Sequence, residues 1–221
     1  SSIKLDEIIN SEKILIANFS IGKLGEENSA LLGAMFITRV WQAAVARASL
    51  PESERKDTFL YIDEFQNFAT GAFANILSEA RKYKLNLTIA HQYMAQLPDE
   101  VRSTIFGNIG SIISFRVGGE DAAVLEKEYK PTFIAEDLMN LDMRNFYIKM
   151  TVDGQTATPF SGRTVDFPKP DMDLINDVVR TSRERWARPK SEVEKDIAQQ
   201  ETAGPQSAPE VKAQTFSEPL I

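Results

Sequence analysis

Between residues 13 and 129, short runs of β-branched and aromatic residues alternate with longer stretches of helical period, and this alternation restricts the fold more than any other feature. KILIANFS (13–20), TFLYI (58–62), LNLTIAHQ (85–92) and IGSIISFRV (109–117) read as strands. SALLGAMFITRVWQAAVARASL (29–50), AFANILSEARKYK (72–84), PDEVRSTIFGN (98–108) and EDAAVLEKEY (120–129) read as helices. Strands separated by helices of this length predict an α/β fold with a mostly parallel sheet covered by helices on both faces. Pro51 ends the first long helix, whose apolar positions, Met35, Phe36 and Trp41 among them, are expected in the core. MRNFYIKMTVDGQTATPFSGRT (143–164) closes this region as a hairpin turning at Asp153-Gly154. No apolar run is read as reaching the roughly 18 residues that a membrane helix needs.

Six of the ten prolines lie beyond residue 167, which sets the expected end of the core near Asp166. The organisation that follows is a core over 1–166, a short helical extension over 167–200 and a disordered tail over 201–221. Leu174, Ile175, Val178 and Val179 form the apolar side of one helix in the extension, and Ser191 with Glu194 is the expected cap of a second. From about Glu201 the chain has too little apolar surface to order itself.

TFLYI runs into adjacent carboxylates, Asp63 and Glu64. In a parallel α/β sheet the C-terminal strand ends are where ligands gather, and there one carboxylate can hold a hydrated Mg²⁺ while its neighbour polarises water. Successive strand residues point to opposite faces, so the chain must turn at this point for both acids to serve one site. Gln66, Asn67 and Thr70-Gly71 suit such a turn. The same pair also fits a strand that ends in solvent with two hydrated acids. Gln92 follows the next apolar run, and an amide there can donate to a phosphate and accept from water. Arg81 stands at the end of a helix, where it complements the helix dipole or reaches a neighbouring subunit's site. Arg116, inside FRV, reads either as a charged partner in the site or as an edge-strand arginine.

Other chemistries are excluded by what is missing. The sequence has no cysteine and one histidine, so thiol catalysis and Cys- or His-clustered metal sites are ruled out, and His91 reads as structural. A net charge of −7 argues against a surface that coats nucleic acid uniformly, though not against a local basic loop. A glycine-rich phosphate cradle, GxxxxGK[ST], is absent from these residues: Gly22-Lys23 is followed by Leu24 and has no glycine five residues before it.

The ordered series ILIANFSIGKLGEENSALLGAMFITRV, FLYIDEFQNFATGAFANILSEARKYKLNLTIAHQY and VRSTIFGNIGSIISFRVGGEDAAVLEKEY resembles the C-terminal half of the motor domain in the FtsK/HerA superfamily. It is most similar to TraG/TraD-type coupling proteins of conjugation and type IV secretion, over about residues 3–165. The resemblance implies a RecA-like P-loop NTPase domain, with ATP and Mg²⁺ as cofactors, that assembles as a ring, commonly a hexamer, and drives DNA. It implies Asp63 as the Walker B metal-shell acid, Glu64 as the general base, and Gln92 as the γ-phosphate sensor. Arg81 best matches the trans-acting finger, with Arg116 a second candidate for it and a nucleotide-binding residue. It implies relaxase and secretion-channel partners and a cytoplasmic motor attached to the inner membrane through an N-terminal region. With the phosphate loop expected upstream of Ser1, this part alone is expected to be inactive. The competing reading is a RecA-like scaffold that recruits a partner without catalysis.

Overall fold

The computed structural model describes residues 3–169 and 174–202. Lys4–Pro168 forms one compact unit, and Lys169 onward belongs to another. In chain order the first unit holds α1 (Leu5–Asn10), α2 (Ile21–Leu24), α3 (Glu26–Val45), β1 (Thr58–Ile62), α4 (Ala72–Glu79), β2 (Leu85–Ile89), α5 (Asp99–Asn108), β3 (Ile112–Ser114), α6 (Gly119–Tyr129), α7 (Ala135–Met139), β4 (Asn145–Lys149), β5 (Thr151–Val152), β6 (Gln155–Thr156) and β7 (Phe160–Arg163). The fold is α/β, as the alternation predicts.

The sheet differs from expectation. Among the described residues only β1 and β2 pair in parallel, with Thr58 opposite Leu85 and Ile62 opposite Ile89. β3, β4 and β7 form a separate antiparallel sheet, and β5 with β6 a short ribbon. The run 13–20 forms no ladder at all. Its Phe19 carbonyl accepts the Ser29 hydroxyl, and the Phe19 ring packs tilted against Phe36 and edge-on to Phe68, so side-chain anchoring to α3 replaces strand pairing, while Ile14 and Ile16 point to solvent. The run 109–117 pairs only at its centre, because Ile109 N–H closes α5 on Ile105 and Val117 N–H is taken by Leu138. Helices do not cover both faces either. β1 buries Ile62 and half-buries Leu60, whereas Phe59 and Tyr61 are 64% and 71% exposed.

The core has two centres. Around β1 and β2, Ile37, Val40 and Ala44 of α3 meet Phe65, Phe73, Ile76, Leu85, Val101 and Ile105. Around β3 and β4, Met94, Ala122, Leu125, Tyr129 and Leu138 form the second, with the Tyr129 hydroxyl donating to the carbonyls of Ile112 and Tyr147. Burial holds that phenol far above its usual pKa, so it stays a donor at any ordinary pH.

α3 corrects two sequence readings. It is less buried than expected: Gly33, Ile37, Val40 and Ala44 face the core, Phe36 and Trp41 are half-buried, and Met35 is exposed with Leu31 and Leu32. Gly33 is required where the Phe68 ring presses on the helix, since a β-carbon would come within 2.2 Å of it. With its 3₁₀ extension the helix spans Glu26–Ser49, 24 residues that include an 18-residue stretch with a mean hydropathy of 1.3, enough by length and composition alone to cross a membrane. Its inward stripe, Ile37, Val40 and Ala44, is nonetheless part of the core that holds Ile62, Phe73 and Ile76.

The hairpin forms where expected, with Asp153 and Gly154 both at positive φ, 50° and 77°. In the second unit, α8 (Ile175–Trp186) carries Ile175, Val178 and Val179 of the expected apolar side, with Leu174 just before its first residue, and all four are exposed. α9 (Lys190–Thr202) begins before Ser191, which is therefore its second residue and not its cap. The tail expected to be disordered lies, beyond Thr202, outside the described residues.

Candidate functional site

β1 delivers Asp63 and Glu64 to its C-terminal end, and the chain turns there as the two-acid reading requires. Glu64 adopts a left-handed backbone, φ 49°, uncommon for a residue with a side chain. The turn is held from below. Phe65 N–H donates to the Ala90 carbonyl at 2.8 Å, Ala90 N–H donates to the Ile62 carbonyl at 2.9 Å, and the fully buried Phe65 ring packs 4.6 Å from that of Phe73. A 3₁₀ turn, Phe65–Asn67, then carries Gln66.

Around Glu64 the polar contacts are specific. Gln66 Nε2 donates to one carboxylate oxygen at 2.5 Å, and Gln92 Nε2 donates to the other at 2.7 Å. Together these amides, Gln66 first, hold the Glu64 carboxyl below its usual pKa. Asp63 Oδ1 accepts the Glu64 N–H at 3.0 Å, leaving its other oxygen directed elsewhere. Sequence reasoning therefore placed Asp63, Glu64 and Gln92 in one cluster, and the structure brings them together. It missed Gln66 as more than a turn residue. The signal was its spacing, two residues past the acid on the same short turn.

Two clefts flank this cluster. One, of about 610 Å³, is lined by Phe19, Leu60, Ile62, Asp63, Glu64 and Phe68. The other, of about 770 Å³, holds His91, Gln92, Phe115, Arg116 and Asp121. The Gln92–Glu64 hydrogen bond bridges them. Arg116 is exposed and lies outside β3, not within a strand as the sequence suggested. His91 is half-buried, with its Nδ1 enclosed and without a hydrogen-bond partner; burial pushes its pKa down against the pull of Asp121.

Arg81 is elsewhere. It sits in the 3₁₀ turn Ala80–Tyr83 beyond α4, beside the N-terminal ends of β1 and β2, where Thr58 N–H donates to the Lys84 carbonyl at 2.9 Å. Five strand residues at about 3.3 Å each separate that end from the acidic turn, roughly 16 Å. Within one chain Arg81 cannot serve the site.

No cluster of three metal-ligating side chains occurs among the described residues. The donor set instead suits Mg²⁺, which is commonly held by one or two carboxylates with substrate phosphates and water. Asp63, exposed and with one oxygen uncommitted, fits that role.

With this geometry in view, comparison with known proteins is informative over the same stretch. Residues 57–127, from the start of β1 through α6 and about a third of the chain, match the family model described as the TraM recognition site of TraD and TraG. The likeness to that family is confined to this segment. No curated protein matches. Among solved structures, the plasmid coupling protein TrwB in complex with ADP and Mg²⁺ is 17% identical with a TM-score of 0.47, covering 58% of this chain and 34% of that one. TrwB with the ATP analogue ADPNP gives 17% and 0.45, covering 60% and 37%. The genome-packaging NTPase B204 of Sulfolobus turreted icosahedral virus 2, in complex with AMPPCP, gives 18% and 0.48, covering 75% and 73%. The chain thus spans about a third of the coupling protein's length.

Proposed function

We propose that these residues are the acid-and-sensor half of a RecA-like P-loop ATPase motor that drives DNA, in the manner of conjugative coupling proteins. The observation that carries the reading is the turn after β1, where Glu64 meets Gln92 from the end of the neighbouring parallel strand, inside the segment of TraG/TraD type. Asp63 would hold Mg²⁺, whose charge, when bound, offsets that of the phosphates. Glu64 orients the attacking water and accepts its proton. Gln92, at the mouth of the 770 Å³ cleft, contacts the terminal phosphate, and Arg116 on the same cleft adds a cation. Arg81, at the far end of the strands, acts on a neighbouring copy's nucleotide, which makes a ring assembly, with six subunits as the expected number, part of the reading. The phosphate cradle comes from outside residues 1–221, so this chain alone does not turn ATP over. Attachment to the cytoplasmic face of an inner membrane, and relaxase or secretion-channel partners, belong to the same proposal.

The test is ATP hydrolysis by the complete gene product with and without DNA. Glu64→Gln is expected to abolish turnover while sparing nucleotide binding. Undiminished turnover would remove Glu64 from the mechanism.

A second reading has one observation of its own: the matching family model is described as a recognition site for a partner, TraM. A non-catalytic docking module would bind such a partner equally well as wild type and as Glu64→Gln, and the complete gene product would show no DNA-stimulated hydrolysis.

A further inference from the structure

Glu64 is held by two amides that are not equivalent. Gln92 is exposed and follows β2, so its contact with the carboxylate is open to water. Gln66 is half-buried in the turn anchored by Phe65, and its own Oε1 is enclosed without a hydrogen-bond partner. Turning that amide over would set Oε1 against a carboxylate oxygen, acceptor to acceptor, and enclose the Nε2 donors instead. Its orientation is therefore fixed by Glu64, and the orientation of Glu64 by it.

We propose that Gln66 is the positioning residue of Glu64: it anchors one carboxylate oxygen on the rigid turn, leaving the oxygen bonded to exposed Gln92 as the one that water and substrate can reach. This rests on the reading of Glu64 as the water-handling acid. The left-handed backbone at Glu64 points the same way, since a non-glycine residue stays in that conformation only where its surroundings impose it. An enclosed acceptor with no partner costs stability, and a fold keeps such a cost where function needs the group.

Two measurements test it. In the 221-residue chain, hydrogen exchange of the side-chain amides followed by NMR is expected to be at least tenfold slower for half-buried Gln66 than for exposed Gln92, because each makes one charge-assisted hydrogen bond to Glu64 and only the bond of Gln66 is shielded from water. Gln66→Met, which keeps the volume but removes both the donor and the orphaned acceptor, is expected to leave the unfolding midpoint unchanged or higher. In the complete gene product it should lower kcat at least tenfold with nucleotide affinity unchanged. Equal exchange rates for the two amides, or a Gln66→Met chain that loses stability while turnover is kept, would overturn the assignment. If no form of the protein hydrolyses ATP, the motor reading fails, and the exchange comparison still decides whether Gln66 anchors Glu64.

Discussion

Arg47 is 2% exposed, and no carboxylate lies within ion-pair distance of it among the described residues. Its guanidinium donates to the Lys56 carbonyl at 2.6 Å, to Thr58 Oγ1 at 3.3 Å and to the Tyr83 carbonyl. These acceptors stand just before β1, at its first residue and just before β2, so one side chain fixes where both strands begin relative to the end of α3. Replacing it with leucine, Arg47→Leu, leaves two carbonyls short of donors at about 1–3 kcal/mol each. Relief of a desolvated charge offsets part of this, and the net loss expected is about 2–4 kcal/mol. With a urea slope of about 2 kcal/mol per molar, the midpoint should fall by about 1–2 M, read by far-ultraviolet circular dichroism on the 221-residue chain. Arg47→Lys should fall between, since an ammonium reaches one carbonyl but lacks the planar fork. A midpoint shift for Arg47→Leu below about 0.25 M, roughly 0.5 kcal/mol, would refute the claim that this arginine sets the strand starts.

Two further outcomes are expected. Phe65→Ala removes a fully buried ring from under the acidic turn and should cost about 3–5 kcal/mol, seen as a large drop in the thermal midpoint. His91 should make stability pH-dependent on the acid side. Its pKa is depressed in the fold, so the unfolded chain takes up the proton first; stability is full above the ordinary histidine range and declines as pH falls through it toward the lower folded pKa, a slope that His91→Gln should reduce in urea titrations at stepped pH.

The acidic turn was legible because its chemistry is local. A hydrophobic run, two acids and turn-forming residues lie within a dozen positions, and the parallel register of β1 with β2 brings Gln92 to Glu64 without any further assumption. The sheet was less legible because pairing is not local. KILIANFS has strand composition, yet Ser29 and the Phe36–Phe68 face of α3 claim Phe19, and no ladder forms. IGSIISFRV loses both ends to competing backbone partners, its start to Ile105 of the helix just before it and its end to Leu138 of α7. Arg116 moved from strand to loop for that reason. Gln66 was hidden for a different one: polar residues after a strand read as turn formers, and only coordinates show that its amide faces a carboxylate while its oxygen is enclosed.

The position of Arg81 turns the proposed mechanism into a statement about assembly. The parallel pair β1–β2 puts the acidic turn at one end, and the turn bearing Arg81 is tied to the other by Thr58, Arg47 and Arg55, whose side chain donates to the Lys82 carbonyl at 2.6 Å. Three independent hydrogen bonds make a swing of roughly 16 Å along the strands incompatible with the fold. If Arg81 serves hydrolysis, it does so across a head-to-tail interface between copies. In the complete gene product, Arg81→Ala and Glu64→Gln are each expected to be inactive. Mixed and reassembled at equal amounts, they should recover about a quarter of wild-type turnover, because random order places an intact Glu64 opposite an intact Arg81 at that share of interfaces. No recovery at any ratio would refute action across the interface, and undiminished turnover by Arg81→Ala alone would remove Arg81 from the site.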